Sequence, residues 1–319
     1  MKRKLFLVVA ALGLALSSVL SFGTAHAASK KQVMTTFYPV YYLAKRIAGD
    51  AADVSMLLEG NQDAHDYEMS ARDAAKVQQA DMFLYQDDEM EHFVEDLVKL
   101  LDTNKTKVVK ATEGLTLLKG DADHDHEADD HDEHEESGEH HHDEAEHHHE
   151  FDPHTWMDPN FYAKQADNVK KALIELDPAN QATYEANAKK LQEDLTALDK
   201  EYKDGLAKLS DKTIVVQHAA FGYLANAYGL TQAAITGISS TAEPGAAELA
   251  AMQAFVKEHG TKVIYVEPSL NDAIAKTVAS ATNAELRPLR TLETVSSDEL
   301  AKGADYLSIM RDNLASLTK

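Results

Sequence analysis

The segment NQATYEANAKKLQEDLTALDKEYKDGLAKL, residues 180–209, decides the architecture. Its apolar stripe is Tyr184, Ala188, Leu191, Leu195, Leu198, Tyr202, Leu206 and Leu209, spaced by four, three, four, three, four, four and three residues. That is one unbroken line along an α-helix. At 1.5 Å per residue such a helix runs roughly 45 Å, more than the diameter of a small domain. The spacing predicts a helix that bridges two domains; the alternative is an ordinary long core helix inside one.

Both flanks alternate. Upstream, residues 31–37, 52–58, 81–85 and 107–111 read as strands, and 38–48, 70–79 and 90–102 as helices, with Gly49 placed to end the first and Ser70 to cap the second. After the long helix, 213–217, 232–236, 262–266 and 289–292 read as strands between helices 220–228, 245–259 and 271–282, before a closing helix at 298–317. An amphipathic helix at 160–176 precedes the long one and is broken by Asp177-Pro178. The expected fold class is therefore α/β, with two lobes that each carry a central parallel-type sheet flanked by helices, joined by the connecting helix. The expected boundaries are 28–158, 159–210 and 211–319. Ligands of such sheets sit beyond the carboxyl ends of the strands, so residues just after strands carry the function.

Residues 121–150 break the alternation. Between positions 121 and 152 there are sixteen Asp or Glu and no Lys or Arg, and ten histidines crowd the same tract: His124, His126, His131, His134, His140, His141, His142, His147, His148 and His149. Nothing this polar offsets the entropy of ordering, so a disordered loop is expected. Neutral imidazoles among carboxylates also bind borderline cations such as Zn²⁺, so these ten histidines read as accessory, low-affinity metal ligands; the alternative is a solvated spacer with incidental metal affinity. The tract supplies most of the formal charge of −23. Without it the mature chain has an ordinary acidic surface, which argues against nucleic acid as a partner.

Met1-Lys2-Arg3-Lys4, an apolar run over 5–22 and Ala25-His26-Ala27 form the three parts of a signal peptide, 1–27, with cleavage after Ala27. The alternative is an uncleaved anchor. The expected address is extracytoplasmic, in the periplasm or at the cell surface. There is no cysteine, which excludes disulfides, a thiolate metal site, a cysteine nucleophile and a lipid anchor on an N-terminal cysteine. A metal site must use His, Asp and Glu.

Four residues sit where the sheets would present a ligand site: His65 in the loop after the second strand, His154 between two Asp-Pro steps, His218 directly after its strand, and Glu293 after the last. Three imidazoles and a carboxylate complete a tetrahedral zinc shell. Each has a plainer reading: a solvated loop histidine, a loop clamp, a strand-end histidine bonded to a carbonyl, and a helix N-terminal or surface acid. Glu267 and Asp272 follow the third strand of the second lobe and rival Glu293; spacing does not rank the three. His92 and His259 read as surface residues on helices.

The motifs TTFYPV (35–40), AHDYE (64–68), FDPHTWMDP (151–159), QHAAFGYL (217–224) and AEP (242–244) resemble those of the zinc-specific substrate-binding proteins of bacterial ABC importers, the cluster A-I group. The likeness covers essentially the whole mature chain. It implies two α/β lobes joined by a rigid helix, metal between the lobes, a His-rich acidic loop where this chain has one, and His65, His154 and His218 as ligands. It favours Glu293 as the fourth. Ala64 and Met69 stand where prolines are usual. The lipobox cysteine of Gram-positive members is missing, and an additional C-terminal zinc domain found in some relatives is expected to be absent.

The resulting expectation is a monomeric, non-enzymatic zinc receptor that delivers Zn²⁺ to a membrane permease. A manganese receptor of the same fold is the nearest alternative, although histidine at 218 favours zinc over a cation that prefers oxygen. Other classes are an exported zinc buffer or cell-adhesion protein, and a zinc hydrolase with Glu293 as general base.

Overall fold

Strands β1 (Lys31–Thr35), β2 (Ala52–Met56), β3 (Met82–Tyr85) and β4 (Lys107–Lys110) form a parallel sheet in the order β2-β1-β3-β4. The computed structural model describes residues 29–60, 62–120, 149–238 and 244–319. The expected signal peptide, the histidines from His124 to His148 and the Ala242-Glu243 pair lie outside the described residues. β3 is Met-Phe-Leu-Tyr and is buried along its whole length, as a central parallel strand covered on both faces must be. Helices α1 (Tyr38–Ala48), α2 (Ala71–Val77) and α3 (Val94–Leu100) make the crossovers. Gly49 ends α1 at a φ of 56°, and the Ser70 side chain caps α2 by accepting from the Asp73 N–H.

Helix α4 (Pro159–Leu176) and helix α5 (Gln181–Leu206) follow as an antiparallel pair. The stripe read from the sequence is the buried face of α5, from Tyr184 through Leu206, with Asp199 its one polar member. In its first half Asn187 donates to the Ile47 carbonyl at 3.0 Å, and at its middle Asp194 accepts from Arg46 at 2.6 Å; Ile47 and Arg46 both lie on α1. Towards its end it reaches the last helix of the chain. The helix therefore does bridge the two halves.

The second parallel sheet comprises β5 (Thr213–His218), β6 (Thr231–Thr236), β7 (Val263–Val266) and β8 (Glu285–Pro288), in the order β6-β5-β7-β8. It repeats the first sheet's plan strand for strand. Helices α6 (Gly222–Tyr228), α7 (Ala246–Glu258) and α8 (Ala273–Thr282) connect it, and α9 (Ser297–Ala301) and α10 (Tyr306–Leu317) close the chain. Tyr202 of α5 donates to the Met310 carbonyl on α10 at 2.6 Å, and Glu201 pairs with Arg311 at 2.8 Å.

Two expectations are corrected here. The last strand is Glu285–Pro288 rather than 289–292. As the outer strand of its sheet it carries exposed Glu285 and half-buried Arg287, so its polarity hid it, whereas the apolar Leu289 and Leu292 are buried in the loop beyond. The closing helix is two helices, because Gly303 at a φ of 89° interrupts it and Asp305 caps a new start.

Candidate metal centre

Both sheets have their switch point between the first and third strands, β1 and β3 in one, β5 and β7 in the other, and the candidate residues collect at this end of the sheets. His218 is the last residue of β5. His65 lies on the loop after β2, where its backbone N–H donates to Asp63 Oδ1 at 2.9 Å. His154 stands before a short 3₁₀ turn, Thr155–Met157, that leads into α4. Glu293 comes five residues after the end of β8, directly after Leu292, a buried non-glycine residue at a φ of 65°. That left-handed turn costs conformational energy and persists because the core holds Leu292; it turns Glu293 inward.

All four are buried. Among the described residues, His65, His154 and Glu293 form the group whose ligand atoms lie within 4.8 Å of one another. Glu293 Oε1 is 3.1 Å from His154 Nε2 and 3.2 Å from His218 Nε2. Both ring nitrogens of His65 are buried without a hydrogen-bond partner, an expensive arrangement unless a ligand completes it. Neither rival carboxylate converges on this point. Glu267 accepts from the Thr291 N–H at 2.5 Å and from the Ser269 hydroxyl at 3.1 Å, and Asp272 pairs with Lys276 at 2.7 Å. Sequence spacing had no means of seeing those commitments.

The electrostatics suit a cation. Burial pushes His65 well below the ordinary imidazole value, so it is neutral and offers a lone pair. Burial would raise Glu293, but His218 and His154 outweigh it and hold the carboxyl well below the usual range. Burial also works against a charged His154, yet the Asp152 hydrogen bond and the Glu293 carboxylate prevail and push that imidazole up to about 10. A cation bound between these groups would balance the Glu293 carboxylate in place of a charged imidazole.

Several supporting residues escaped the sequence reading. Asp152 Oδ1 accepts from the His154 backbone N–H at 2.9 Å and contacts its ring Nδ1 at 2.8 Å, fixing the ring and leaving Nε2 for the centre. Gly222 makes room for it: a Cβ there would lie 2.4 Å from Asp152 Oδ2. Gln86, at the end of β3, donates to the Pro153 carbonyl at 3.0 Å and the Thr155 hydroxyl at 2.6 Å, while Gln165 of α4 donates to Gln86 Oε1 at 2.9 Å. Trp156 donates to the Thr291 carbonyl at 2.7 Å, and Tyr306 of α10 donates to the Trp156 carbonyl at 2.6 Å. One loop is thus tied to both lobes. The available signal was local: an Asp two residues before a His, flanked by prolines, is an Asx-turn pattern.

The remaining histidines divide. His259 is exposed at the end of α7 and stacks on Phe255, as a surface residue. His92 is exposed, as expected, but precedes α3 instead of lying on a helix, which corrects that part of its reading, and its ring centre is 5.5 Å from that of His149. His149 is the one histidine of the tract within the described residues. Its side chain is only 6% exposed, its Nδ1 is 3.6 Å from Glu89 Oε2, and its ring centre is 5.6 Å from that of His65.

Residues 33–319 match the profile of the family described as ZnuA, zinc-uptake complex component A, periplasmic. The zinc-binding lipoprotein AdcA of Streptococcus pneumoniae serotype 4 is 39% identical over 99% of this chain and 60% of its own length. The chain thus spans about three-fifths of that relative. The high-affinity zinc uptake system protein ZnuA of Bacillus subtilis is 38% identical over 98% of this chain and 93% of its own. Among solved structures, the Zn(II)-bound ZnuA-like domain of S. pneumoniae AdcA is similar at a TM-score of 0.75 and 37% identity, covering 91% of this chain and 98% of that one. The laminin-binding protein Lmb of Streptococcus agalactiae, described as having adhesin and metal-transporting activity, aligns at a TM-score of 0.76 and 34% identity over 91% of this chain and 98% of its own.

Proposed function

The chain belongs to the family of periplasmic zinc-uptake component A proteins, and from that premise we propose that it is an extracytoplasmic receptor that captures Zn²⁺ and delivers it to the permease of an ABC importer. The observation that carries the reading is the buried convergence of His65, His154 and Glu293 within 4.8 Å, with His218 Nε2 3.2 Å from the same Glu293 oxygen. His65, His154, His218 and Glu293 are the four ligands. Three imidazoles and a carboxylate match the preference of zinc, whereas manganese takes more oxygen donors. Four protein donors also fill a tetrahedral shell and leave no position at which water is activated, which suits capture and release rather than catalysis.

In this reading residues 1–27 export the chain, the mature protein works as a monomer, and the His-rich tract is an accessory that concentrates zinc near the cleft. The domain bounds 28–158, 159–210 and 211–319 are the two lobes and the helical segment between them. No helix among the described residues is long and apolar enough to cross a membrane, in keeping with a receptor that meets its permease at the membrane surface.

The test is zinc-edge X-ray absorption on protein loaded with one equivalent of zinc, beside a His218→Ala variant, after exposure to equimolar Zn²⁺ and Mn²⁺. Three imidazoles and one carboxylate around zinc, with one imidazole lost in the variant, are expected. A bound water with three protein donors would turn the reading towards a zinc hydrolase, and a preference for manganese would replace the cargo.

A further inference from the structure

The described residues on either side of the His-rich tract form a short two-stranded ribbon. Lys119 pairs antiparallel with Phe151, the Asp152 N–H donates to the Leu118 carbonyl at 2.9 Å, and the Gly120 N–H donates to the Glu150 carbonyl at 2.9 Å. Its first strand follows β4 and its second leads to His154, so both belong to the first lobe. So few pairs do not hold a ribbon by themselves. The second lobe supplies the rest. Tyr223, on the first turn of α6, accepts the Leu118 N–H on its hydroxyl at 2.8 Å. It is only 2% exposed, and its ring meets that of Phe161 of α4 edge to face with centres 5.0 Å apart, so the hydroxyl is held in place. Beside it Gly222 abuts Asp152, and Gly120 lies so near Ile238 that an added Cβ would sit 3.2 Å from its Cδ1. Helix α6 starts at Gly222, shortly after His218, so the element that grips the ribbon is continuous with a strand that carries a ligand.

At one end of the second strand, His149 brings its ring centre to 5.6 Å from that of His65; at the other, Asp152 holds the His154 ring. With the ribbon in place His154 is fully buried and His65 nearly so. An ion among these ligands reaches water only when a covering segment moves. We propose that Tyr223 is the clasp of the cleft, a positioning residue that holds the ribbon of the first lobe against the second and so sets how long a captured Zn²⁺ stays. The proposal rests on the reading of the cleft as the zinc site. Tyr223 is no ligand and acts through the ribbon. Its bond with the Leu118 N–H joins two neutral groups, and one such bond favours the held arrangement about 2- to 12-fold. Removing it raises the share of molecules with the ribbon parted by the same factor, and with it the rate at which zinc escapes.

The experiment loads the full chain with one equivalent of zinc and strips it with excess pyridylazoresorcinol, whose absorbance reports the released metal. Tyr223→Phe removes the hydroxyl and keeps the ring. Tyr202→Phe is the control, since its hydroxyl also makes a buried hydrogen bond, to the Met310 carbonyl at 2.6 Å, but joins α5 to α10 and not the ribbon to α6. Stripping is expected to be about 2- to 12-fold faster from Tyr223→Phe and unchanged from Tyr202→Phe, with the same zinc-edge X-ray absorption spectrum in all three proteins. An unchanged rate in Tyr223→Phe would overturn the clasp and leave the cleft reading in place. Equal acceleration in both variants would also overturn it, by making the effect a general loosening of the fold. A ligand missing from the Tyr223→Phe spectrum would overturn it too, since the residue would then shape the shell rather than hold the ribbon. A spectrum of the unsubstituted protein without three imidazoles and a carboxylate would overturn the cleft reading and the clasp with it.

Discussion

Both sheets follow one strand order, yet the interiors they cover are unlike. The first sheet, α1, α4 and α5 share one large apolar cluster with Phe37, Tyr42, Phe83, Trp156, Tyr162 and Tyr184 inside it, and the near face of the second sheet joins it through Ile214, Val216 and Tyr265. The far face of the second sheet has a separate, smaller cluster of Val215, Ile235, Val256, Ile264, Ala275, Val278 and Ala279. Helix α7 contributes only Val256 to the fully buried set. The same topology is thus deeply anchored on one side and thinly covered on the other. Apolar burial sets local stability, so the layer of α7 and α8 is where this chain opens first. The candidate centre draws on both lobes and sits at the well-packed end of each.

The comparison breaks most completely at Trp156, which hydrogen-bonds to Thr291 and supports Tyr306. Trp156→Ala is expected to cost about 3–5 kcal/mol, since it leaves a cavity where the lobes meet. Urea unfolding followed by circular dichroism checks this, and the loss of a single transition would show that this side chain makes the lobes unfold together. Next comes a matched pair of truncations. Leu195→Ala, in the shared cluster, should cost about 2–5 kcal/mol, and Val278→Ala, in the smaller one, about 1–2 kcal/mol. Equal costs in thermal denaturation would erase the distinction between the interiors.

Two smaller effects sharpen the contrast across the centre. Asp152→Asn keeps the shape beside His154 but removes the charge that orients its ring, and zinc affinity should fall about 10- to 100-fold in a chelator competition. The last effect is that of pH. With His154 pushed up to about 10, metal-free protein holds a proton that zinc must displace, whereas His65, kept neutral by burial, holds none in the same range. Zinc affinity should therefore rise by about tenfold per pH unit between roughly pH 7 and pH 9. The stability of the metal-free form runs the other way. The His154 contribution is complete below the ordinary imidazole value of about 6.5 and is lost as pH climbs through about 10. Isothermal titration and thermal melts over the same pH series measure both.

Much of this was legible in the sequence, for reasons that differ by residue. The face of α5 was legible because its period is long, regular and decided by burial alone. β8 was not, because Glu285 and Arg287 sit on an outer strand whose partner, not its own pattern, makes it a strand. Gly303 does carry a signal, a glycine inside a helical pattern, but the apolar period on either side of it masks the break. His218 announced itself at the end of an apolar run, and the resemblance to known receptors drew His65 and His154 to the same place. Glu293 could not be separated from Glu267 by spacing, because what distinguishes them is a hydrogen bond from Thr291 that only the folded chain makes. The nearness of His92 to His149 is likewise a contact between distant positions, with no trace in either local pattern.

Viewed as a mechanical part, α5 is a tie-rod. It is fastened to α1 through Ile47 in its first half and Arg46 at its middle, and to α10 through Met310 and Arg311 near its far end. A rod fixed to both lobes leaves little room for the lobes to swing apart as jaws do. How long a captured ion stays is then governed by the short loops at the mouth, around His65 and between His149 and His154, and not by a wide hinge. For the proposed receptor, release on cue would require something that presses on those loops from outside, so the timing of delivery would belong to the proposed permease rather than to the chain itself.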